Sequence, residues 1–262
     1  AGTYQHNGGN SLKDADPQLI RLKEIFHQAR RTTVFTGAGI STESGIPDFR
    51  SPGGLWTKYK PIEFQDFLAS DDMKRESWRR KFKTDEVVRA AKPNIGHMAI
   101  AELSEKDLIS SVITQNIDGL HQLSGLSDDQ IIELHGNATY AACLSCRKRF
   151  SLERVRKVFE IDEQLLVCDA CGGIIKTATI SFGQPMPEAE MLRAEKETLA
   201  CDLFLVVGSS LVVYPAAGFP VMAKHNRAKL VIINREPTDL DGIADLVLNR
   251  EIGRTLGKLV DM

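Results

Sequence analysis

The chain has 262 residues, of which 26% are charged and 42% hydrophobic, ordinary proportions for a globular protein with a substantial core. Lys and Arg total 33 against 35 Asp and Glu, so no net field attracts nucleic acid or an anionic membrane. The longest apolar run, residues 203–207, is far below the ~20 residues that a membrane span requires. Residues 1–16 lack the apolar core of a signal peptide and are predicted to form a flexible arm, so we expect a cytoplasmic protein.

The first predicted helix begins at Asp16-Pro17, where aspartate can cap the helix and proline suits its first position. Leu19, Leu22 and Phe26 follow at helical spacing and form one apolar face. A β-prone segment, residues 32–36, then leads into a glycine-containing loop. The order of strand, glycine turn and helix is typical of the beginning of an α/β nucleotide-binding fold.

Further along the chain, short apolar segments are predicted to be buried parallel strands. They cover residues 109–114, 203–207 and 230–233, with a possible late strand at 245–248. Their ends carry small or polar residues, and ligands of open parallel sheets bind outside the carboxyl ends of the strands. The strand ends therefore predict one shared crevice.

Two stretches interrupt this alternation, a helical one rich in Lys, Arg, Phe and Trp and a cysteine-containing one too small for its own core. We predict an α/β fold in which a Rossmann-like parallel sheet domain carries a smaller lobe made of a helical insertion and a zinc ribbon. The predicted boundaries are 17–52, 94–138 and 179–262 for the nucleotide-binding Rossmann-like domain, 53–93 for the helical insertion and 139–178 for the zinc ribbon.

The loop "TGAGISTESGIPDFRSPGGLW" begins like a dinucleotide-binding turn. Gly37 and Gly39 would let backbone N–H groups approach a phosphate, although two glycines alone are equally typical of a tight turn without a ligand. The continuation Pro-Asp-Phe-Arg at 47–50 combines a rigid corner, an anion, an aromatic ring and a guanidinium, which favours a charged dinucleotide. Thr42 replaces the third glycine and no acidic ribose ligand is obvious, so an ordinary nicotinamide dehydrogenase is disfavoured.

A polar cluster follows the strand at 109–114. "TQNIDGLH" places Gln115, Asn116 and Asp118 there, either as site residues or as caps of the next helix. "ELHG" places His135 where it could be a general base or a structural residue. His97 and His121 compete with it on sequence alone, and we interpret His97 as a packing residue.

Four of the five cysteines form two C-x-x-C pairs, Cys143/Cys146 and Cys168/Cys171. Two such turns can complete a tetrahedron around one structural zinc ion, which leaves no open position for catalysis. A pair of redox-active motifs is the alternative, but neither follows a thioredoxin-like strand. Cys201, before a predicted buried strand, is interpreted as a core residue.

Taken together, these motifs resemble the sirtuins, NAD-dependent protein lysine deacylases. "GAGISTESGIPDFRSPGGLW", "TQNIDGLH", "ELHG", the four cysteines, "FGQPMP" and "VVGSSLVVYPAA" occur in the family's order, and the resemblance covers about residues 20–255. It implies consumption of NAD as co-substrate, with nicotinamide, free lysine and O-acyl-ADP-ribose as products. The implied partners are acyl-lysine proteins or peptides. We expect no membrane or nucleic-acid partner, and we expect a monomer.

The resemblance also implies roles for individual residues. His135 would be the general base, with Asn116 and Asp118 completing the catalytic set. Phe182 and Gly183, with Ile180, would belong to a strand that pairs with the substrate peptide. The implied NAD-binding residues are Gly37, Ala38, Gly39, Asp48, Phe49, Arg50, Trp56, Gln115, Asn116, Ile117, Asp118, Gly208, Ser209, Ser210, Asn234, Glu236 and Ile252.

The sequence departs from the family pattern in places. The substrate segment reads Ser181-Phe-Gly-Gln184 where many relatives have F-F-G-E, which weakens any transfer of peptide preference. Acidic-acyl specialists carry a tyrosine and an arginine in the segment after the glycine loop, whereas "GGLWTKYKP" has Leu55 and Thr57 and no arginine. Succinyl- and malonyl-lysine are therefore disfavoured, and acetyl or longer apolar groups stay open. Two other functions also stay open: ADP-ribosyl transfer to a protein, and a non-enzymatic interaction module with NAD as a regulatory ligand.

Overall fold

A computed structural model describes residues 16–48, 52 and 60–261. The strands in these ranges are β1 (Thr32–Thr36), β2 (Ser111–Thr114), β3 (Ile131–Glu133), β4 (Gly136–Cys143), β5 (Arg149–Ser151), β6 (Ile175–Thr179), β7 (Leu203–Val207), β8 (Lys229–Ile233) and β9 (Leu246–Leu248). The helices are α1 (Pro17–Gln28), α2 (Phe64–Ala69), α3 (Asp71–Ala90), α4 (Ile95–Glu105), α5 (Leu120–Leu123), α6 (Leu152–Phe159), α7 (Glu188–Ala200), α8 (Gly218–His225) and α9 (Ile252–Val260). Two 3₁₀ helices cover Ala38–Ser44 and Asp241–Ile243.

Over the described ranges, six strands form one parallel sheet in the order β3-β2-β1-β7-β8-β9. Counted in chain order these strands run 3-2-1-4-5-6, the doubly wound arrangement of dinucleotide-binding folds. Both faces are covered, since Val34 packs with α1, α4 and α9, whereas its neighbour Phe35 packs with α7 and α8. Burial on both faces explains why these strands are continuously apolar.

The predicted strands at 32–36 and 203–207 are confirmed to the residue. The predicted strand at 109–114 was too long, because Ile109 and Ser110 precede β2, and β8 begins one residue earlier than predicted. The sequence did not identify β3, whose three residues are too few to show a periodicity. α1 has the predicted start, with the Asp16 carboxylate accepting hydrogen bonds from the N–H groups of Gln18 and Leu19.

In the part of the chain that the structure describes, a second sheet has the antiparallel order β5-β4-β6. Its small core mixes side chains from both predicted insertions: Trp78 and Phe82 of α3 pack with Phe150, Phe159 and the first cysteines of each pair. Neither insertion buries this cluster alone, which agrees with a shared smaller lobe, while the boundaries assigned above stay a prediction. Among the described helices, none combines the length and apolarity needed to cross a bilayer.

Candidate active site

The strand order of the large sheet reverses between β1 and β7, the point where doubly wound folds bind ligands. The glycine loop leaves β1 there, and Gly208 and Ser209 leave β7 beside it. Gln115 and Asn116 follow the adjacent β2, and Asn234 follows β8. The structure therefore brings the predicted polar strand ends to one edge of the sheet.

Three glycines interlock at this edge. The N–H of Gly39 donates to the carbonyl oxygen of Gly208 at 2.8 Å. A Cβ on Gly37 would lie 2.7 Å from the Gly208 carbonyl oxygen, and one on Gly39 would lie 2.8 Å from the Gly208 Cα. Gly208 has φ +65°, and its own Cβ would collide with the backbone of Ile40. The sequence uses glycine here because two segments of the chain cross in direct backbone contact, which leaves no room for side chains.

From Ala38 to Ser44 the loop forms a 3₁₀ helix, which is held in place by Asn94 before α4 and by the start of α9. The Asn94 amide, before α4, donates to the carbonyl oxygen of Ile40 at 2.7 Å and to the Ser44 hydroxyl at 2.9 Å. The Glu43 carboxylate accepts from the N–H of Gly253 at the start of α9 (3.1 Å). Sequence reasoning missed these supports, although an asparagine directly before a helical pattern is an N-cap signal.

The far end of this loop is only partly described. Asp48 is half-buried. The predicted NAD contacts Phe49, Arg50 and Trp56 lie outside the described residues, as do Leu55 and Thr57, on which the expectation about acidic acyl groups depended.

Asn116 and Asp118 are both buried and both contact the glycine loop. The Asn116 amide donates to the carbonyl oxygen of Gly37 at 3.0 Å. One oxygen of Asp118 accepts from the Ser41 hydroxyl at 2.7 Å, and the other accepts from the N–H of Leu120 at 2.9 Å. Asp118 thus holds the glycine loop and accepts from the first N–H of the short α5, whose N-cap is Gly119, and its role as a site residue stays a prediction. Ile117, between them, accepts from the N–H of Ala138 at 2.7 Å.

His135 lies between the two sheets, after β3 of the large sheet and immediately before β4 of the small one. Its Nδ1 is 3.0 Å from the carbonyl oxygen of Gln115. Because a carbonyl oxygen can only accept, Nδ1 carries the proton and Nε2 is left as the basic nitrogen. The Gln115 side chain accepts from the Ser209 hydroxyl at 2.7 Å, which connects the histidine's support to the glycine crossing.

The pKa of His135 is lowered from its ordinary value by burial, although the hydrogen bond to Gln115 opposes the shift. The imidazole is therefore neutral at pH 7 and able to accept a proton. It is also only partly buried, so a reacting hydroxyl group can approach Nε2. These are the requirements for a general base.

The two competing histidines lie deeper. His97 and His121 are almost fully buried with their rings 5.2 Å apart, and burial lowers their pKa values to about 4 and about 3. His97 does more than pack, since its Nδ1 accepts from the N–H of Asn94 and its Nε2 lies 3.4 Å from the Ser41 hydroxyl. His121 contacts Thr36 at 2.9 Å. Neither is accessible to a substrate, which leaves His135 as the candidate base.

The remaining residues predicted to bind NAD follow β7, β8 and β9. Ser210 is exposed beside Ser209, and the Asn234 amide donates to the carbonyl oxygen of Glu236 at 2.8 Å. Ile252, the first residue of α9, is buried against Gly208, whose Cβ would lie 2.9 Å from the Ile252 Cδ1. All of these residues lie along the same edge as the glycine crossing.

The expected substrate strand requires a correction. β6 ends at Thr179, and Phe182 and Gly183 lie in a turn, where the N–H of Gln184 donates to the carbonyl oxygen of Ser181. Gly183 has φ +78°, which a strand does not accommodate. The segment nevertheless lies beside the base, because the N–H of Ile180 donates to the carbonyl oxygen of His135 at 2.9 Å. Phe182 is exposed.

The four spaced cysteines converge. Their Sγ atoms all lie within 4.8 Å of one another, with 3.5 Å between Cys143 and Cys171 and 3.6 Å between Cys146 and Cys168. A tetrahedral Zn²⁺ with Zn–S bonds of about 2.3 Å requires Sγ atoms about 3.8 Å apart, so the donor set fits zinc. The N–H groups of Cys146 and Ser145 lower the pKa of the Cys143 thiol, whereas contacts with the neighbouring thiols raise the pKa of Cys171. Cys201 is buried in the core, as predicted.

Comparison with known proteins agrees with this geometry. The model of the Sir2 family matches residues 37–215. An NAD-dependent protein deacetylase of Bradyrhizobium diazoefficiens is 55% identical over 240 residues, covering 92% of this chain and 94% of the relative.

Solved structures of Sir2 proteins also align with this chain over nearly its whole length. A Sir2 complex with a p53 peptide and NAD⁺ aligns with a TM-score of 0.82 at 36% identity, over 92% of this chain and 96% of that one. The structure of Sir2Tm bound to a propionylated peptide aligns with a TM-score of 0.81 at 35% identity, over 93% and 98%. The crevice at the β1–β7 crossing and the four-cysteine lobe thus belong to a known architecture, and the chain is a member of the Sir2 family, the sirtuins.

Proposed function

We propose that this protein is an NAD-dependent protein lysine deacylase that removes acetyl and other apolar acyl groups. The observation that carries the proposal is the position of His135. Its side chain is fixed by Gln115 at the nucleotide crevice, and its backbone is fixed by Ile180 at the segment predicted to bind the peptide. A base held by both halves of the site suits a reaction between a nucleotide and a peptide.

When bound, NAD would supply the electrophile, a ribose carbon that exchanges its bond to nicotinamide for a bond to the acyl oxygen of the substrate lysine. The protein's part is to bind and orient NAD and the peptide and to shield the reacting atoms. The interlocked glycines and Ser209 support assignment of the pyrophosphate to the β1–β7 crossing, where no glycine side chain blocks a close approach and the 3₁₀ helix Ala38–Ser44 begins. Fixing both reactants in one geometry removes much of the entropic barrier.

Two polar groups are assigned to the nicotinamide half. The buried carboxylate of Asp118 is oriented by Ser41 and Leu120, and the Asn116 amide by Gly37, so neither has to reorganise during the reaction. His135 Nε2 is assigned the proton of a ribose hydroxyl. Because Nδ1–H is bonded to a carbonyl oxygen, the ring cannot switch tautomer without losing that bond.

The four-cysteine site takes a structural role in this proposal. Four protein ligands complete a tetrahedral zinc shell, and such a site holds a fold together without opening a position for substrate.

The substrate class follows from the relatives. Solved relatives are bound to a p53 peptide and to a propionylated peptide, which supports acyl-lysine peptides with acetyl or propionyl groups as substrates here. The exposed Phe182 beside Ile180 offers an apolar surface for the peptide.

The test is incubation of the purified protein with NAD and a panel of acetyl-, propionyl-, butyryl- and succinyl-lysine peptides. Released nicotinamide is measured by liquid chromatography and peptide mass by mass spectrometry. We expect nicotinamide and free lysine in equal amounts from the acetyl and propionyl peptides, and little from the succinyl peptide. No nicotinamide with any peptide contradicts the proposal, and a mass increase corresponding to ADP-ribose would assign the protein to transfer instead.

A further inference from the structure

Lys176, on β6, is a buried lysine that the proposed chemistry does not use. The residue is 3% exposed, and no acidic side chain forms an ion pair with it among the described residues. Its Nζ lies 6.0 Å from the ring centroid of Phe67 of α2. Burial lowers the pKa of this amine to about 8, which is the cost of removing it from water without a counter-charge. A buried amine without a counter-charge destabilises the folded protein unless it is hydrogen-bonded, so its hydrogen-bond partners indicate why it is there.

Those contacts are backbone carbonyl groups near the end of β6. Nζ donates to the carbonyl oxygen of Thr179 at 2.6 Å and lies 3.4 Å from that of Thr177. The first is a short hydrogen bond from a charged donor, which is stronger than one between neutral groups.

The ladder between β4 and β6 is irregular beside these carbonyl groups. Thr177 pairs with Ala141 and Thr179 pairs with Gly136, so residues 137–140 of β4 face a single residue of β6. A bulge of this kind interrupts the regular hydrogen bonding between strands. Thr177 and Thr179 are the paired residues on either side of it, and the Lys176 amine, on the same strand, donates to both carbonyl oxygens where the ladder is interrupted.

The carbonyl groups held in this way adjoin the catalytic centre. Thr179 pairs with Gly136, the residue after His135, and the next residue, Ile180, donates its N–H to the His135 carbonyl oxygen. At Gly136 a Cβ would collide with the Ala178 carbonyl oxygen, so the two strands are in direct backbone contact here. The same segment leads into Phe182, whose carbonyl oxygen accepts from the N–H of Phe64.

We propose that Lys176 is a positioning residue for the acyl-lysine peptide: its amine replaces the interrupted ladder at the end of β6 and fixes residues 179–183 relative to His135. The inference rests on the proposed function, because it assigns residues 180–183 to peptide binding. It concerns the peptide alone, since the glycine crossing and Asp118 lie on the other sheet.

The experiment measures KM and kcat for an acetyl-lysine peptide at saturating NAD, and KM for NAD at saturating peptide, in the full-length protein. For Lys176→Met we expect peptide KM to rise at least tenfold, while KM for NAD stays within twofold. Lys176→Arg, which still donates to carbonyl groups, should bring peptide KM back to within about threefold of wild type.

The matched control is Lys81→Met. Lys81 is a mostly buried amine in the same lobe, but it pairs with Asp85, away from residues 179–183. Loss of Lys81 should lower the melting temperature without changing either KM, which separates a positioning effect from general destabilisation. If Lys176→Met is insoluble, Lys176→Gln, too short to reach both carbonyl groups, takes the same measurements with the same expectation.

An unchanged peptide KM in the folded variant, or an equal rise in both KM values, would overturn the inference. A wild-type protein that releases no nicotinamide with any acyl-lysine peptide would instead refute the proposed function. The two failures are therefore distinguishable.

Discussion

The two sheets of this protein bury their apolar residues on very different scales. Both faces of the parallel sheet pack against helices, and its strands β1, β2 and β7 are buried at every residue. The antiparallel sheet has one small cluster around Trp78 and Phe150, and two of its members are cysteines of the metal site. A large core can hold glycine crossings and a buried Asp118 in place, whereas a small core depends on a metal and ion pairs for its stability.

This contrast predicts that substitutions at the edge of the parallel sheet change catalysis and nucleotide affinity, whereas those in the small core of the antiparallel sheet, away from Lys176 and residues 179–183, change stability. His135 belongs to both, because it joins β3 to β4. Its substitution should therefore show the largest effect on rate.

We expect His135→Ala to lower kcat by about 10²–10⁴-fold, the usual contribution of a positioned general base. The melting temperature should change little, since the ring is only partly buried. The measurement is steady-state nicotinamide release. His27→Ala, an exposed histidine on α1, is the control and should keep full activity; a His135→Ala variant with wild-type kcat would refute the assignment.

The second prediction concerns the metal. Cys146→Ser should abolish stoichiometric zinc and unfold the smaller lobe, because structural zinc contributes about 10 kcal/mol or more to folding. Cys146 is exposed, so the loss cannot come from packing. Zinc content by mass spectrometry and thermal denaturation check it, with Cys201→Ala as the control that keeps its zinc. Full zinc content in the Cys146→Ser protein would contradict the four-cysteine site.

The third prediction tests the glycine crossing. Gly39→Ala places a Cβ 2.8 Å from the Gly208 backbone, and overpacking of this kind costs about 1–3 kcal/mol. We expect NAD affinity, measured by calorimetry, to fall about tenfold or more. Gly218→Ala, where a Cβ would meet nothing within 4 Å at the start of α8, should leave affinity unchanged. Equal NAD affinities in the two variants would show that the glycine crossing is not part of the nucleotide site.

The fourth prediction concerns the ion pairs of the smaller lobe. Asp85 is 2% exposed and joins Lys81 of its own helix to Arg156 of α6, so it connects the helical insertion to the cysteine-containing sheet. Asp85→Asn should destabilise the protein by about 1–3 kcal/mol, because buried charged donors lose an anionic acceptor. Chemical denaturation measures the loss. A change in KM for NAD with no loss of stability would contradict the division between the two sheets.

The smallest effect is expected in the pH profile. Because burial lowers the pKa of His135, the neutral, proton-accepting form persists below the ordinary value of 6.5. kcat/KM should therefore fall as pH decreases, with a midpoint below 6.5, and no loss should appear between pH 6.5 and 7.5. A midpoint above 6.5 would show that the imidazole is stabilised in its charged form.

Much of this arrangement could be predicted from the sequence. The strands at 32–36 and 203–207 are short, apolar and β-branched, and their exits identify the crevice. The cysteine spacing indicates a metal site because C-x-x-C turns constrain their ligands locally. Sequence reasoning failed where no pattern carries the information: β3 is too short to show a periodicity, and nothing in the sequence fixes the positive φ of Gly183 that places Phe182 in a turn. The hydrogen bond from Lys176 to Thr179 was also missed, because the local sequence does not indicate that this lysine is buried.

The most direct test of the account is a crystal structure of the protein with NAD and an acyl-lysine peptide. We expect the pyrophosphate at the Gly37–Gly39 and Gly208 crossing, with His135 Nε2 within hydrogen-bonding distance of a ribose hydroxyl. The peptide should lie along residues 180–183. A nucleotide bound away from the β1–β7 edge, or a ribose beyond the reach of His135, would contradict it.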